Sequence, residues 1–309
     1  MVTALLFPGQ GAQRVGMGKD LAEHFPVARD TYAAIDDALQ EPLSRIMWSG
    51  PEGDLLQTRH AQPAILAHSA AVLAVVTERL GPVVAAAGHS LGEYSAYVAA
   101  GSLSATDAAR LVRRRGELMH QAGTERPGTM AAVLGLASAA VEEVCSAVSR
   151  EGSVVVAANL NAPDQTVISG DPDAVERAGE GCKSAGARRV LPLKVSGAFH
   201  SPLMASAVPG LRAALAEQTL AEPRFPVVAN ATAEPVQEAT RATALLAEQL
   251  TAPVRWVQCV ERLADLAGSE ARFVELGPGT VLAGLVKRIL GDRSVTSLGT
   301  VADVEAFLA

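Results

Sequence analysis

Aromatic side chains are scarce: six Phe, three Tyr and two Trp make up 4% of the 309 residues. The interior must therefore be filled by Ala, Val and Leu, which suits helices packed on a sheet. Cysteine is nearly absent as well. Cys145, Cys182 and Cys259 are odd in number, far apart and in no metal-like spacing, which excludes a disulfide scaffold and predicts a reducing, cytoplasmic setting. Positive charge is not in surplus, with 26 Lys and Arg against 33 Asp and Glu and a net charge of -7. That balance speaks against a nucleic-acid partner. No cationic leader opens the chain, since Met1 to Phe7 runs straight into Pro8-Gly9. Later apolar runs are read as falling short of a membrane span. What is present is 49% apolar residues, enough to fill one large domain with an insertion, or two ordinary domains.

Two textures alternate along the chain. Short apolar runs at Thr3-Phe7, Val83-Ala87, Val227-Asn230 and Arg272-Leu276 are separated by long helical patterns, as in a parallel α/β sheet with crossover helices. Between them the order changes. Strands are predicted at Met130-Leu136, Val154-Asn159, Gln165-Gly170 and Arg188-Leu193, with helices at Ser138-Ser149 and Asp171-Ala185. This βαββαβ order is ferredoxin-like. Arg126-Pro127-Gly128 and Ser196-Gly197 supply chain reversals at its ends. The expected organisation is a large domain of residues 1–126 and 197–309, a subdomain of 127–196, and a ligand cleft between them.

Gly88-His89-Ser90-Leu91-Gly92 lies between an apolar strand and a helical segment that stops at Gly101. Strand, tight turn and helix are the context of a G-x-S-x-G nucleophile elbow. Glycines on both sides let the strand and helix approach closely, and the helix amides point where an oxyanion would form. A serine N-cap after a strand is the bland alternative.

A serine nucleophile needs a base. Of six histidines, His24, His60, His68 and His120 fall in segments that read as solvated or packed, and His89 is expected to point away from its neighbour Ser90. His200, in Gly197-Ala198-Phe199-His200-Ser201-Pro202, follows the last strand of the insertion where the chain re-enters the cleft. No acidic residue between Ser90 and His200 stands out as the third member of a triad. Either a backbone carbonyl orients the histidine, or an acid is hidden.

The predicted helix from Ala105 to Gln121 carries Ala108, Leu111, Val112, Leu118 and Met119 on a buried stripe, and Arg115 falls on the same stripe. Arg113 and Arg114 rotate away. An inward guanidinium keeps its charge and demands an anion: a protein carboxylate, or a substrate carboxylate gripped by its planar fork. The clusters Arg113-Arg114-Arg115, Arg188-Arg189 and Lys287-Arg288 could each face an acidic partner, or be ordinary solvated faces.

Taken together, Pro8-Gly9-Gln10-Gly11-Ala12-Gln13, Gln62-Pro63-Ala64, Gly88-His89-Ser90-Leu91-Gly92-Glu93, Arg115-Gly116 before Leu118-Met119, Asn159 and Asn161, Gly197 to Met204, Gln249-Leu250 with Pro253 to Trp256, and Glu275-Leu276-Gly277-Pro278-Gly279 resemble the malonyl-CoA:acyl carrier protein transacylase family. The resemblance is collinear and covers nearly the whole chain. It implies an α/β-hydrolase-like fold with the ferredoxin-like insertion and a Ser90–His200 dyad, the histidine oriented by the backbone carbonyl of Gln249. It further implies an oxyanion hole from the amides of Gln10 and Leu91, and a salt bridge from Arg115 to the malonyl carboxylate. Gln62, Asn159 and Asn161 would line the cleft, although structural places for the two asparagines in turns of the insertion are an equal alternative. Phe199 before the histidine matches a malonyl-selecting pattern, and Leu91 agrees, though one methyl group is worth only about 1–3 kcal/mol of discrimination.

The implied reaction is ping-pong transfer of malonyl from malonyl-CoA through a Ser90 ester to the phosphopantetheine thiol of an acyl carrier protein, in fatty-acid or polyketide synthesis. The resemblance implies no bound cofactor and no metal, and the expected state is a free-standing monomer. Competing readings are an acyl hydrolase on the same scaffold, an acyltransferase for a substituted malonyl unit, and a non-catalytic carrier-docking module. Arg115 argues against the first, because a hydrolase of uncharged chains gains nothing from a buried cation. The joint presence of Ser90, His200 and Arg115 argues against the last.

Overall fold

The computed structural model describes residues 2–309. Its larger sheet has six strands: β1 (Thr3–Phe7), β2 (Val83–Gly88), β7 (Val227–Val228), β8 (Pro235–Val236), β9 (Arg272–Leu276) and β10 (Val295–Leu298). Their order is β10-β9-β1-β2-β7-β8, parallel throughout except for the β7–β8 pair. The chain builds outward from β1 through β2 to β7, then returns to the other side of β1 for β9. Loops at the carboxyl ends of such central strands diverge and leave room for a site. Both faces are covered. Leu5 and Phe7 point into one core cluster while Ala4 and Leu6 point into another, as expected for a parallel strand buried on two sides.

The second sheet is made of β3 (Thr129–Leu134), β4 (Val155–Ala162), β5 (Gln165–Gly170) and β6 (Arg189–Pro192), in the antiparallel order β4-β5-β3-β6. With helices Ser138–Val148 and Pro172–Ser184 it is the βαββαβ unit read in the sequence. Ala131, Val133, Val155 and Ile168 pack under those helices on Val141, Cys145, Ala174 and Cys182. Met130, Ala132, Ala158 and Val167 face the other way and join the main core.

Three expectations are corrected. The helix Thr58–Val76 begins a segment, Thr58–Arg79, that is apolar and long enough to cross a membrane, contrary to the reading that no run approaches that length. Of its apolar window 78% is buried within the fold, which marks a central core helix. The strand expected over Val227-Asn230 pairs only at Val227 and Val228, which frees Asn230 for another task. Asn159 and Asn161 do not occupy turns: both lie in β4, whose register is irregular at Ala157/Asn159.

Candidate active site

Ser90 sits between β2 and the helix Gly92–Ala99 with φ 52°, and His200 has φ 56°. Both are left-handed, a conformation that costs a non-glycine residue roughly 1–2 kcal/mol. The elbow closes because Gly88 and Gly92 lack side chains. A Cβ on Gly88 would run into the Gly92 carbonyl, and one on Gly92 would run into the Phe7 carbonyl at the end of β1. The strained serine is held by Asn230, whose Oδ1 accepts from the Ser90 amide at 2.7 Å while its Nδ2 donates to the Gly88 carbonyl at 2.8 Å.

The loop carrying His200 is pinned from the small sheet. Ser169 of β5 donates to the Phe199 carbonyl at 2.7 Å, and Ser201 Oγ donates to the Ala198 carbonyl at 2.6 Å. His200 Nε2 thereby stands 2.8 Å from Ser90 Oγ, and its Nδ1 stands 2.9 Å from the Gln249 carbonyl. A carbonyl can only accept, so Nδ1 carries the proton and Nε2 offers its lone pair to the serine hydroxyl. Burial, then the charge of Arg115, pushes the His200 pKa down to about 3 against the opposing pull of the Gln249 carbonyl. The imidazole is therefore the free base at neutral pH. Among the described residues no carboxylate completes a triad; the Gln249 backbone carbonyl occupies that place.

Arg115 lies on the helix Ala105–Glu125 and is 1% exposed. Gly116 lets this helix touch the first turn of the Thr58–Val76 helix, since a Cβ there would come within 2.7 Å of the Thr58 carbonyl. The guanidinium is carried to Ser90. Nη2 donates to Ser90 Oγ at 3.1 Å and to Gln249 Oε1 at 2.9 Å, and Nη1 donates to Gln62 Oε1 at 2.7 Å. The Tyr94 ring lies below, 5.9 Å from its centre to the guanidinium carbon. Among the described residues no carboxylate forms a salt bridge with Arg115, and its Nε has no acceptor. Among the described residues the internal ion pair weighed above is absent, and a buried cation lies beside the Ser90 hydroxyl.

The other basic clusters mostly serve the surface. Arg113 pairs with Glu41, Arg114 with Glu117, and Arg188 and Arg288 both with Asp164.

Gln10 and Asn161 border a cavity of about 180 Å³ with His89, Gln165 and Val281. Among the described residues neither the Gln10 amide nor the Leu91 amide has a protein acceptor. His89 points away from Ser90, and its Nε2 lies 2.8 Å from Asn161 Oδ1, tying the elbow to β4. Asn159 makes no side-chain hydrogen bond with the dyad; its backbone bridges to Val254. Phe199, 6% exposed, belongs to the main core cluster.

Residues 4–305 match the family described as an acyl transferase domain. The chain is 44% identical to the malonyl CoA-acyl carrier protein transacylase of Bacillus subtilis (strain 168), covering 93% of this chain and 90% of that protein. It is also 44% identical to the protein of the same name from Haemophilus influenzae, over 99% and 98% of the two chains. The chain belongs to the malonyl-CoA:acyl carrier protein transacylase family. Among solved structures of such transacylases, an acyl carrier protein S-malonyltransferase from Vibrio cholerae superposes with a TM-score of 0.94 at 42% identity, covering 98% of this chain and 99% of that one. A malonyl-transacylase solved in complex with its type II PKS acyl-carrier protein gives 0.95 at 41% identity, covering 100% and 99%.

Sequence reasoning missed two residues at the heart of this transacylase site. Asn230 falls in the predicted strand Val227-Asn230, and Glu93 stands at the end of the serine motif. Glu93 is fully buried, and its Oε2 accepts from Gln249 Nε2 at 2.6 Å and from the Asn230 amide at 2.9 Å. Burial raises its carboxyl pKa to about 7, against hydrogen bonds from Asn230 and Gln249 and the charge of Arg115. A charged residue in the first turn of a helix that otherwise buries apolar and small side chains was the available signal.

Proposed function

We propose that this chain moves a malonyl group from malonyl-CoA to the phosphopantetheine thiol of an acyl carrier protein, in fatty-acid or polyketide synthesis, through an ester on Ser90. The observation that carries the reading is Arg115, buried, without a salt-bridged carboxylate, and 3.1 Å from Ser90 Oγ. The carboxylate of a malonyl group lies only two carbons beyond its acyl carbon. A guanidinium already touching the nucleophile suits that short diacid, and a longer one would overshoot it.

In the first half-reaction His200 Nε2 removes the hydroxyl proton as Ser90 Oγ attacks the thioester carbon. The oxyanion falls to the amides of Gln10 and Leu91, which have no other acceptor. Collapse expels the coenzyme A thiolate, which takes the proton from His200. In the second half-reaction the carrier thiol gives its proton to His200 and attacks the ester, and Ser90 recovers the proton as the malonyl group leaves. The Gln249 carbonyl holds the imidazolium in place at each stage. Gln62 and Gln249 hold the planar guanidinium in its aim, while Asn159, Asn161 and Phe199 shape the wall of the cleft. Residues 1–126 and 197–309 would supply the nucleophile and arginine, and 127–196 the cover that shields the ester from water.

The test is intact-mass measurement after separate addition of malonyl-, methylmalonyl- and acetyl-CoA, followed by carrier protein. A malonyl adduct that requires Ser90 and is discharged by the carrier is expected. No such adduct overturns the proposal, and rapid loss of the adduct to water identifies a hydrolase.

A further inference from the structure

Glu93 has no part in the proton transfers above, yet its carboxylate is fully buried in the site. Its surroundings are specific. Gln249 presents two different oxygens to two functions: the main-chain oxygen accepts from His200 Nδ1, and the side-chain oxygen accepts from Arg115 Nη2. An amide side chain can rotate by half a turn and exchange its oxygen for its nitrogen at little intrinsic cost. With the nitrogen facing Arg115, two donors would oppose each other and the guanidinium would lose a support. The orientation is decided at the other end of the amide. There Nε2 donates to Glu93 Oε2 at 2.6 Å and to the Ser90 carbonyl at 3.1 Å. The Ser90 carbonyl accepts only, and Glu93 Oε2 already accepts from the Asn230 amide, so a flipped amide would set its oxygen against two acceptors.

We infer that Glu93 is a positioning residue for recognition of the acyl group's carboxylate: by accepting from Gln249 Nε2 it locks the amide so that Gln249 Oε1 holds Arg115 over the nucleophile. The inference rests on the malonyl-transfer reading and extends it. Carboxylate, amide and guanidinium form a relay in which Glu93 and Arg115 are not in salt-bridge contact, so the guanidinium keeps its fork for the substrate. The same Oε2 accepts from the Asn230 amide, and Asn230 holds the Ser90 amide, so one oxygen fixes both the aim of Arg115 and the bend of the elbow. Glu93 Oε1 has no partner among the described residues. A glutamine at this position keeps an accepting oxygen at Oε2 without displacing any partner of Oε1, at the cost of an unpartnered amide nitrogen there.

That difference between accepting and being charged provides the test. Ser90 acylation would be followed by intact mass with malonyl-CoA and acetyl-CoA in parallel, on wild type, E93Q and E93L, each first checked for native circular dichroism. E93L removes the acceptor at similar bulk, and the malonyl-over-acetyl rate ratio is expected to fall at least about tenfold, the scale of one charged hydrogen bond. E93Q is expected to hold the wild-type ratio. A purely structural role would slow both acyl groups together and leave the ratio unmoved. Should E93L fail to fold, E93D takes its place, because one methylene less withdraws the oxygen from Gln249. An unmoved ratio in E93L or E93D, or an equal loss in E93Q, overturns the inference. If wild type itself forms no malonyl ester, the functional reading fails first, and the two failures are told apart.

Discussion

Arg115 Nη2 and Ser90 Oγ are 3.1 Å apart, so a hydrogen bond joins the buried cation on the helix Ala105–Glu125 to the hydroxyl in the turn after β2. Ser90 is thus at once a donor to His200 and an acceptor from Arg115. Replacing Arg115 with Ala should leave a folded protein that no longer favours a malonyl group. Two charge-assisted hydrogen bonds of about 1.5–3 kcal/mol each correspond to a loss of about a hundredfold or more in malonyl acylation. Single-turnover mass measurement with malonyl-CoA and acetyl-CoA checks this, and an R115A variant with unchanged malonyl preference would refute the assignment.

The same charge holds the imidazole neutral. Burial and then Arg115 push the His200 pKa down to about 3. Burial, Arg115 and His89 all lower this pKa, and removing the arginine charge removes the second largest of them, so the acidic limb of the pH–rate profile for acetyl transfer should move to higher pH in R115A. A carboxylate bound at Arg115 acts in the same direction and makes His200 a stronger base once substrate is in place. Coincident acidic limbs in wild type and R115A would contradict this coupling.

Glu93 gives a stability prediction of defined sign. Its carboxyl is raised from 4.5 to about 7 by burial, so the folded state binds a proton that the unfolded chain releases. The stability from that proton is present below about pH 4.5 and is lost as pH rises through about 7. Replacement by Gln removes the titration. The melting temperature of E93Q relative to wild type should therefore rise between pH 5 and pH 8; a difference that is flat or falling with pH would count against a raised carboxyl.

Asn230→Ala leaves the Ser90 amide and the Gly88 carbonyl without their side-chain partners. Each buried orphan costs about 1–3 kcal/mol, and the left-handed serine loses its restraint. Thermal unfolding should show the destabilisation, and Ser90 acylation should slow for malonyl and acetyl groups alike. A variant that slowed only malonyl transfer would place Asn230 with Arg115 and not with the elbow.

Much of this site could be read in one dimension because its parts are local. The glycines around Ser90 announce an elbow within five residues, and the helical period places Arg115 inward within three turns. The βαββαβ order of residues 127–196 was likewise legible, since each element there is short and amphipathic. Asn230 was not, because only two residues of its strand pair, and nothing in Val227-Val228-Ala229-Asn230 says where the pairing stops. The Thr58–Val76 helix misleads for the opposite reason: Gln62, His68 and Ser69 are polar letters that break the apolar run in the sequence yet are fully buried in the fold.

The sequence by itself determined that a strained serine, a distant histidine and an inward arginine exist, because turn chemistry and helical periodicity act over a few residues. Tertiary structure decided what each of them faces. Ser90 and His200 are 110 residues apart, and Gln249 reaches Ser90 and Glu93 from 159 and 156 residues away. Contacts at such separations are set by how strands and helices pack, and no local pattern encodes them. That packing puts a backbone carbonyl behind His200 in the place of a triad carboxylate, and leaves Arg115 one amide away from Glu93 with no direct salt bridge among the described residues.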